Sequence, residues 1–370
     1  MFLIPKSISY RYVYTAFLTL FVIFSGSFAI IGNLRFIEAA VPIIGFVLIV
    51  MNRNVVPFGI TSKLFLIFIF LILSLGLLQF NNNSLFAIRL ANSLITCLVI
   101  FYVSSNKLYF NLYPRLLFCL TLFLYVLGIY GYFWEYTYIF SILFVPLVFL
   151  KKYIFAAFNV SSLLLIGQRT SILNIGYVLY RIFFTGKLNI VKIFSVFIIF
   201  FGILLIFTYF DLRALNAYKE IDLGAIYHLL SSAIEVAGYY SYDEFVYGDR
   251  NEVFVEGGDV SLQRRFRKWG HALAHSDFNS LFLGLGPGYF GKGADSGWIR
   301  LFFEFGLIVF TFFAFLVYKI YKNSNQIQKL VIGVFIISNV FLDILYSPLL
   351  MGFTGMLLGL SRGSNENVNR

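Results

Sequence analysis

Long apolar runs fill this sequence and are interrupted by one charged stretch, which limits the folds open to the chain. Residues 211–294 hold 19 charged side chains in 84 positions, whereas the other 286 positions hold 26. Hydrophobic residues make up 60% of the chain and charged residues 12%. A typical soluble domain carries about 25% charged residues. The apolar runs therefore need lipid as their solvent, and the sequence predicts an integral membrane protein.

The apolar runs are long enough to predict about 12 membrane-spanning helices. We expect an all-α polytopic membrane protein, because a span satisfies its own backbone when it is helical. The chain divides into an N-terminal bundle of about nine spans (1–210), a large, partly helical loop (211–294), and about three C-terminal spans with a short tail (295–370). The expected spans lie near 14–32, 36–51, 64–80, 84–103, 112–134, 137–150, 153–168, 170–185, 190–210, 296–318, 329–346 and 348–360.

Lysines and arginines in the short loops predict the orientation, because such residues concentrate on the cytoplasmic side. With a cytoplasmic N-terminus, 16 of them lie in inner loops and tails and three, Arg35, Arg89 and Arg169, in the short outer loops. This bias predicts that both termini are cytoplasmic and that the 211–294 loop lies outside.

Ionisable residues inside or beside the spans cluster at the outer ends under this topology. The set is Glu38, Arg89, Glu135, Arg169, Asp295, Arg300, Glu304 and Asp343. Charges in hydrocarbon are expensive and usually face a cavity or a partner. A polar cavity open to the outer leaflet explains the set; the alternative is that each side chain reaches the headgroups separately.

Arg169 lies in Gly-Gln-Arg-Thr-Ser at 167–171, between two short apolar runs, so we expect a tight external turn there. A guanidinium at headgroup level can bind a phosphate through two parallel hydrogen bonds. The alternative role is a topological anchor, which the positive-inside rule disfavours on this side. The position therefore favours a functional arginine.

Residues 262–275 predict an amphipathic helix. At about 100° per residue the apolar face holds Leu262, Phe266, Trp269 and Leu273, and the opposite face holds Arg264, Lys268, His271 and His275. Such a helix can lie on the membrane and adhere to anionic lipid. The alternative is that its basic face roofs a cavity and neutralises a phosphorylated substrate.

A glycine-rich segment at 284–289 predicts a turn that returns the chain to the membrane. Asp295 and Ser296 are placed to cap the span that follows. Arg300 and Glu304 are i, i+4 neighbours that can pair with each other. Capping and pairing explain these four residues structurally; the alternative is that they line the external cavity.

These features together resemble the Wzy-type O-antigen polymerases. In residues, the resemblance rests on the Arg-Thr-Ser turn at 169–171, the Leu-Gly-Leu-Gly-Pro-Gly return at 283–288 and the span opening at 295–307; in topology it covers the whole chain. It implies a GT-C-like polymerase/ligase architecture. Related O-antigen ligases carry a histidine motif where the span after the loop begins. Here Asp295-Ser296 stands in that position, which favours a polymerase.

The resemblance implies transfer of a growing glycan from undecaprenyl diphosphate to a sugar hydroxyl of another lipid-linked repeat unit. The reaction would take place on the periplasmic face of the bacterial inner membrane. Donor and acceptor are then undecaprenyl-diphosphate-linked oligosaccharides in contact with membrane lipid. A chain-length regulator and a flippase are further expected partners, and no nucleic acid is expected.

This reaction needs cations that stabilise charge on the departing diphosphate and a base that takes the acceptor proton. The expected diphosphate-binding residues are Arg169, Arg89, Arg264, Arg265 and Arg300. The candidate bases are Asp295, His271 and His275, with Glu304 and Lys268 completing the cavity. We expect no metal and no other cofactor, because the sequence has no Asp-x-Asp motif and the paired histidines lack an evident third ligand.

Two other functions stay open at this point. A transporter or flippase of lipid-linked sugar would favour repeated halves and polar groups at the bilayer midplane, and the sequence shows neither. An O-antigen ligase would use the same donor and differ in its acceptor.

Overall fold

The computed structural model describes most of the chain, and every regular element in it is helical. It covers residues 13, 16–21, 36–51, 60–78, 84–105, 113–126, 133–166, 169–184, 223–247, 260–291 and 293–362. For these residues the all-α prediction is confirmed.

The described helices before the large loop follow the apolar runs of the sequence. They are α1 (Phe36–Met51), α2 (Ile60–Leu78), α3 (Ser84–Ser104), α4 (Tyr113–Val126), α5 (Phe133–Phe149), α6 (Tyr153–Ile166) and α7 (Arg169–Phe184). The expected span at 190–210 lies outside the described residues, and so does most of the one at 14–32.

The described part of the loop and the C-terminal region contain further helices and one 3₁₀ turn. They are α8 (Leu223–Ala237), α9 (Tyr242–Tyr247), α10 (Val260–Ala274), α11 (Phe278–Leu283), α12 (Gly297–Lys322), α13 (Gln326–Phe341), the 3₁₀ turn Ile344–Tyr346 and α14 (Pro348–Arg362). The large loop is therefore partly helical over its described ranges.

Three described segments are long and apolar enough to cross a membrane by length and composition, namely Thr61–Leu78, Leu85–Ser104 and Gly297–Lys322. Shorter apolar helices accompany them at Tyr113–Phe123, Glu135–Phe149, Tyr153–Leu163 and Gln326–Phe341. The described helices thus lie where spans are expected, and three of them meet the length of a full span.

Close packing at a glycine joins α14, near the C-terminus, to α3 in the N-terminal part of the chain. α14 packs along α3, and a Cβ added at Gly355 would lie 2.2 Å from the carbonyl oxygen of Cys97. Nearby, the hydroxyls of Tyr138 and Thr354 are 2.6 Å apart, which ties α5 to α14. Small residues at such crossings let helix backbones approach closely, as is common in membrane bundles.

α12 is interrupted at Gly306, whose φ of 78° and ψ of 175° are not helical. The break frees two carbonyls of the preceding turn, and the returning loop uses them. Leu285 N–H donates to the oxygen of Phe303 at 2.7 Å, and Gly286 N–H donates to that of Glu304 at 3.2 Å. The glycine-rich return is therefore fastened to the first turns of α12, with Ser296 capping that helix through the Ile299 N–H.

The predicted helix at 262–275 is present as α10, but its faces differ from the prediction. It packs against α8, where a Cβ on Gly270 would lie 2.6 Å from that of Ala233. Lys268 and His271 of the expected basic face are buried, whereas Leu273 of the expected apolar face is exposed. The simple division into a lipid face and a charged face was wrong, because the polar side chains find partners inside the protein.

Candidate functional site

Two side chains of α10 donate hydrogen bonds to the turn just before α12. The ammonium of Lys268 donates to the carbonyl of Gly293 and to the Oδ2 atom of Asp295, both at 2.7 Å. The indole N–H of the next residue, Trp269, donates to the carbonyl of Ala294 at 3.1 Å. Three consecutive residues of the turn are thus bonded to two neighbouring side chains of one helix.

The same turn is held from the opposite side by the segment after α13. Ala294 N–H donates to Oδ2 of Asp343 at 2.9 Å. Asp295 adopts a φ of 58°, a left-handed conformation that non-glycine residues rarely occupy and that surrounding contacts must impose. Its side chain is 43% exposed, whereas that of Lys268 is 7% exposed. Asp295 is therefore rigidly placed and open on one side.

Arg300 lies one turn into α12 and is almost completely buried. It donates from Nε to Glu304 at 3.0 Å, from Nη1 to Asp343 at 3.3 Å and from Nη2 to the carbonyl of Gly291 at 2.9 Å. The guanidinium also lies 3.9 Å from the ring centroid of Tyr346. Its charge is thus compensated within the protein.

Glu304 is fully buried and accepts hydrogen bonds from several elements. The Tyr346 hydroxyl donates to Oε2 at 2.8 Å, and Phe290 N–H reaches Oε1 at 3.4 Å. A buried carboxylate with a cation and further donors avoids most of the penalty of an unpaired charge. Glu304 therefore connects the glycine-rich return, α12 and the 3₁₀ turn.

Together these side chains form one connected cluster, which we call the outer ion network. Its ionisable members are Lys268, Asp295, Arg300, Glu304 and Asp343. Two cations face three carboxylates, so the fully ionised network carries no surplus positive charge. Its cations are occupied by its own carboxylates, and its most accessible reactive group is the carboxylate of Asp295.

The two histidines of α10 lie in a second, adjacent group. The rings of His271 and His275 stack with centroids 4.1 Å apart. Nε2 of His271 lies 3.1 Å from the carbonyl of Tyr240, and Nδ1 lies 2.5 Å from the hydroxyl of Tyr289. Because a carbonyl can only accept, Nε2 carries the proton, and the neutral Nδ1 accepts from Tyr289. Both nitrogens of His271 are engaged.

Burial lowers the pKa of His271 below 6.5, its ordinary value, because burial disfavours the charged imidazolium. His275 differs, since its ring is exposed and its Nδ1 lies 2.9 Å from the carbonyl of His271. That bond places the proton on Nδ1 and leaves Nε2 as the acceptor nitrogen. Of the two histidines, His275 is the one arranged to accept a proton from outside.

The remaining expected diphosphate ligands are spread over several helices. Arg264 is exposed and Arg265 half-buried on α10, and Arg89 is half-buried on α3. α3 lies beside the outer ion network, because the ring of Phe86 is 5.3 Å from the Arg300 guanidinium. Arg169 begins α7, and the position of its side chain lies outside what is described.

The sequence marks Asp343 as a charge near the membrane without predicting a role for it, and it predicts no role for Tyr346 or Tyr289. Two acidic residues, Asp343 and Glu366, follow Glu304 in the sequence. A rare acid in an apolar region is the feature that could have marked Asp343 as a residue with a role. Tyrosines are common in this chain, so nothing local marked the two that bond Glu304 and His271.

Among the described residues no three His, Cys, Asp or Glu side chains come together in a way that suits a metal ion. The expectation of a metal-independent protein stays a prediction. No family model, curated protein or solved structure matches this chain. The residues and their geometry therefore carry the functional conclusion.

Proposed function

We propose that this chain is an O-antigen polymerase, a glycosyltransferase that joins lipid-linked repeat units on the periplasmic face of the bacterial inner membrane. The observation that carries the proposal is the placement of Asp295. It is a carboxylate in a strained backbone conformation, partly exposed and held by Lys268, where the charged loop meets a long apolar helix. Strained, exposed polar residues between rigid elements are typical of reactive sites.

The proposed architecture is a bundle of about 12 spans with both termini in the cytoplasm. Support comes from the described apolar helices at the expected positions and from the lysines and arginines of the short loops. In this arrangement Asp295 and the outer ion network lie at the periplasmic end of α12. That is the side on which lipid-linked repeat units would be joined.

In the proposed reaction the acceptor hydroxyl oxygen attacks the anomeric carbon of the donor sugar. The bond between that carbon and the phosphate oxygen breaks, and its electron pair leaves with undecaprenyl diphosphate. Asp295 takes the proton of the acceptor hydroxyl, with one carboxylate oxygen held by Lys268 and the other available. A base of this kind typically contributes about 100- to 10,000-fold to the rate.

Charge on the departing diphosphate requires cations that carboxylates do not already neutralise. Arg300 and Lys268 are occupied within the outer ion network. The proposed ligands on α10 are therefore Arg264, which is exposed, and Arg265, which is half-buried. Arg89 and Arg169 are proposed as further ligands from the sequence. Exposed Arg264 lies on the same helix as Lys268, one turn earlier.

The proposed partners are the lipid-linked donor and acceptor, a flippase that delivers them and a regulator of polymer length. The test is the lipopolysaccharide of a strain lacking the chain, separated on a gel. A single repeat unit on the lipid core indicates loss of a polymerase. Loss of every repeat unit would instead indicate a ligase or a flippase and would overturn the proposal.

Polymerisation by the purified chain, reconstituted with lipid-linked repeat units alone, separates these cases further. Growth of polymer on undecaprenyl diphosphate, with no other protein present, is the result expected of a polymerase. Transfer to lipid A core without polymer growth would identify a ligase, and movement of substrate without a new glycosidic bond would identify a transporter.

A further inference from the structure

The short helix α11 presents an unusual apolar surface for part of a charged loop. Phe278, Phe282 and Leu283 are 75%, 38% and 52% exposed, and none of the residues of α11 is buried. The two phenylalanine rings lie side by side, with centroids 4.9 Å apart. A capping box between Asp277 and Ser280 fixes the start of the turn. We call Phe278–Leu283 the outer wedge.

The position of the outer wedge along α12 gives its depth. A Cβ on Gly306 would lie 2.1 Å from the carbonyl oxygen of Phe282, so the end of the wedge contacts α12 at that residue. The 13 residues from Gly306 to Lys319 rise about 20 Å at about 1.5 Å per residue. With Lys319 at the inner boundary of a hydrocarbon layer about 30 Å thick, Gly306 lies about 10 Å below the outer boundary.

Non-helical backbone at that depth must have its polar groups satisfied by protein. The return that follows the wedge meets this condition, because Leu285 and Gly286 donate to the carbonyls that the break in α12 releases. Gly284 N–H donates to the carbonyl of Ser280 at 2.7 Å and closes the helical turn itself. The segment therefore has the bonding of a re-entrant loop.

The apolar surface of the wedge continues onto α12. Leu307 and Ile308 follow the break at Gly306 and are exposed, as lipid-facing residues of a span are expected to be. By contrast, Phe266 on α10, the helix expected from sequence to lie on the membrane, is buried, and Trp269 is bonded to Ala294. In the described part of the loop, the exposed phenylalanine side chains are thus Phe278 and Phe282, both on α11.

We propose that the outer wedge inserts into the outer leaflet and that its occupant is the acyl chains of phospholipid. The loop then re-enters the membrane before α12 begins. This inference requires that α12 spans a membrane and does not depend on the proposed polymerase reaction. The contact consists of desolvated phenylalanine and leucine side chains, so it needs no particular headgroup.

Spin-label accessibility on the full chain in phospholipid nanodiscs tests the depth. Single labels replace Phe278 and Phe282 in a Cys97→Ala, Cys119→Ser background. Tyr239, which is 83% exposed at the end of α8, serves as the aqueous control, and Phe315, exposed on α12, serves as the lipid control. Labels at 278 and 282 should collide more with oxygen than with a water-soluble nickel chelate, as at 315. Accessibility like that at 239 would overturn the proposal.

Crosslinking of the wild-type chain avoids any effect of the substitutions on folding. Nanodiscs contain phosphatidylethanolamine and phosphatidylglycerol with a photoreactive group in the acyl chain. Lipid adducts on residues 278–283 are the expected result. Adducts on the exposed face of α12 with none on residues 278–283 would place the wedge in water, whether or not the chain polymerises glycan.

Discussion

Two of the ion pairs in the outer ion network, Arg300–Glu304 and Lys268–Asp295, have similar chemistry and different surroundings. Arg300 and Glu304 have 3% and 0% of their side chains exposed, and each has further partners inside the protein. Asp295 pairs with Lys268, yet 43% of its side chain is exposed and its backbone is strained. The Arg300–Glu304 pair, buried among several partners, holds elements together, whereas the Lys268–Asp295 pair leaves one carboxylate accessible from outside the protein.

Removal of Arg300 should produce the largest loss of stability. Arg300→Met leaves the buried Glu304 and the partly buried Asp343 without their cation, and breaking a buried pair in this way typically costs about 3–5 kcal/mol. We expect a lower unfolding midpoint and less folded protein in detergent, measured by size-exclusion chromatography after heating. Arg264→Met, at an exposed position of α10, is the matched control and should unfold like wild type.

The double variant Arg300→Met, Glu304→Gln sharpens this test. The second substitution removes the Glu304 carboxylate that Arg300→Met leaves without a cation. The double variant should therefore be more stable than the sum of the two single losses implies. Simple additivity would mean that the two side chains do not act as a pair. A wild-type unfolding midpoint for Arg300→Met would show that the pair does not hold α12 to its neighbours.

Lys268→Met should reduce activity more than it reduces folding. The Lys268 ammonium makes charged hydrogen bonds to Gly293 and Asp295, and each is worth about 1.5–3 kcal/mol. If the bond to Asp295 positions the base, its loss should slow the reaction roughly 10- to 100-fold. Lys268→Arg keeps the charge and should recover part of the polymer made by equal amounts of protein. Equal yields from Lys268→Met and wild type would remove Lys268 from the positioning of Asp295.

The lowered pKa of His271 predicts that the loop loses stability in acid. The unfolded imidazole protonates near 6.5 and the buried one at lower pH, so the unfolded state binds more protons between these values. The stability that neutral His271 provides is therefore complete above about pH 6.5 and falls as pH drops towards the folded pKa. Hydrogen exchange of α10 amides should accelerate between pH 7 and 5, after correction for intrinsic exchange.

His271→Gln keeps a donor and an acceptor without an imidazole, so this acid sensitivity should shrink. His228→Asn, at an exposed position of α8, is the control that keeps His271 and its surroundings and should keep the sensitivity. The same pH dependence in His271→Gln and wild type would show that another group titrates.

The smallest effect is expected for polymerisation by His275→Asn. If Asp295 is the base, the exposed His275 ring supplies no proton acceptor for the reaction, and polymer yield at neutral pH should stay close to wild type. A loss of about 100-fold or more, the usual contribution of a general base, would move the catalytic role to His275.

Much of the local structure was predictable because it depends on neighbours in sequence. Apolar runs predicted helices, Ser296 was expected at a helix start, and Arg300 and Glu304 were expected to pair at i, i+4 spacing. The bonds to Asp343 and Tyr346 join residues more than 40 positions apart, and such contacts leave no pattern in the sequence. The faces of α10 were misjudged for the same reason, since its polar side chains bind the distant turn before α12.

Asp295 is proposed as the reactive end of the outer ion network, and this role can be measured directly. Its most direct measurement is polymer formation by purified, reconstituted Asp295→Asn, compared with wild type and with Asp243→Asn at an exposed position of α9. Asp295→Asn is expected to fold normally and to make about 100- to 10,000-fold less polymer than wild type, while Asp243→Asn should match wild type. Long polymer made at the wild-type rate by folded Asp295→Asn would show that Asp295 is not the base.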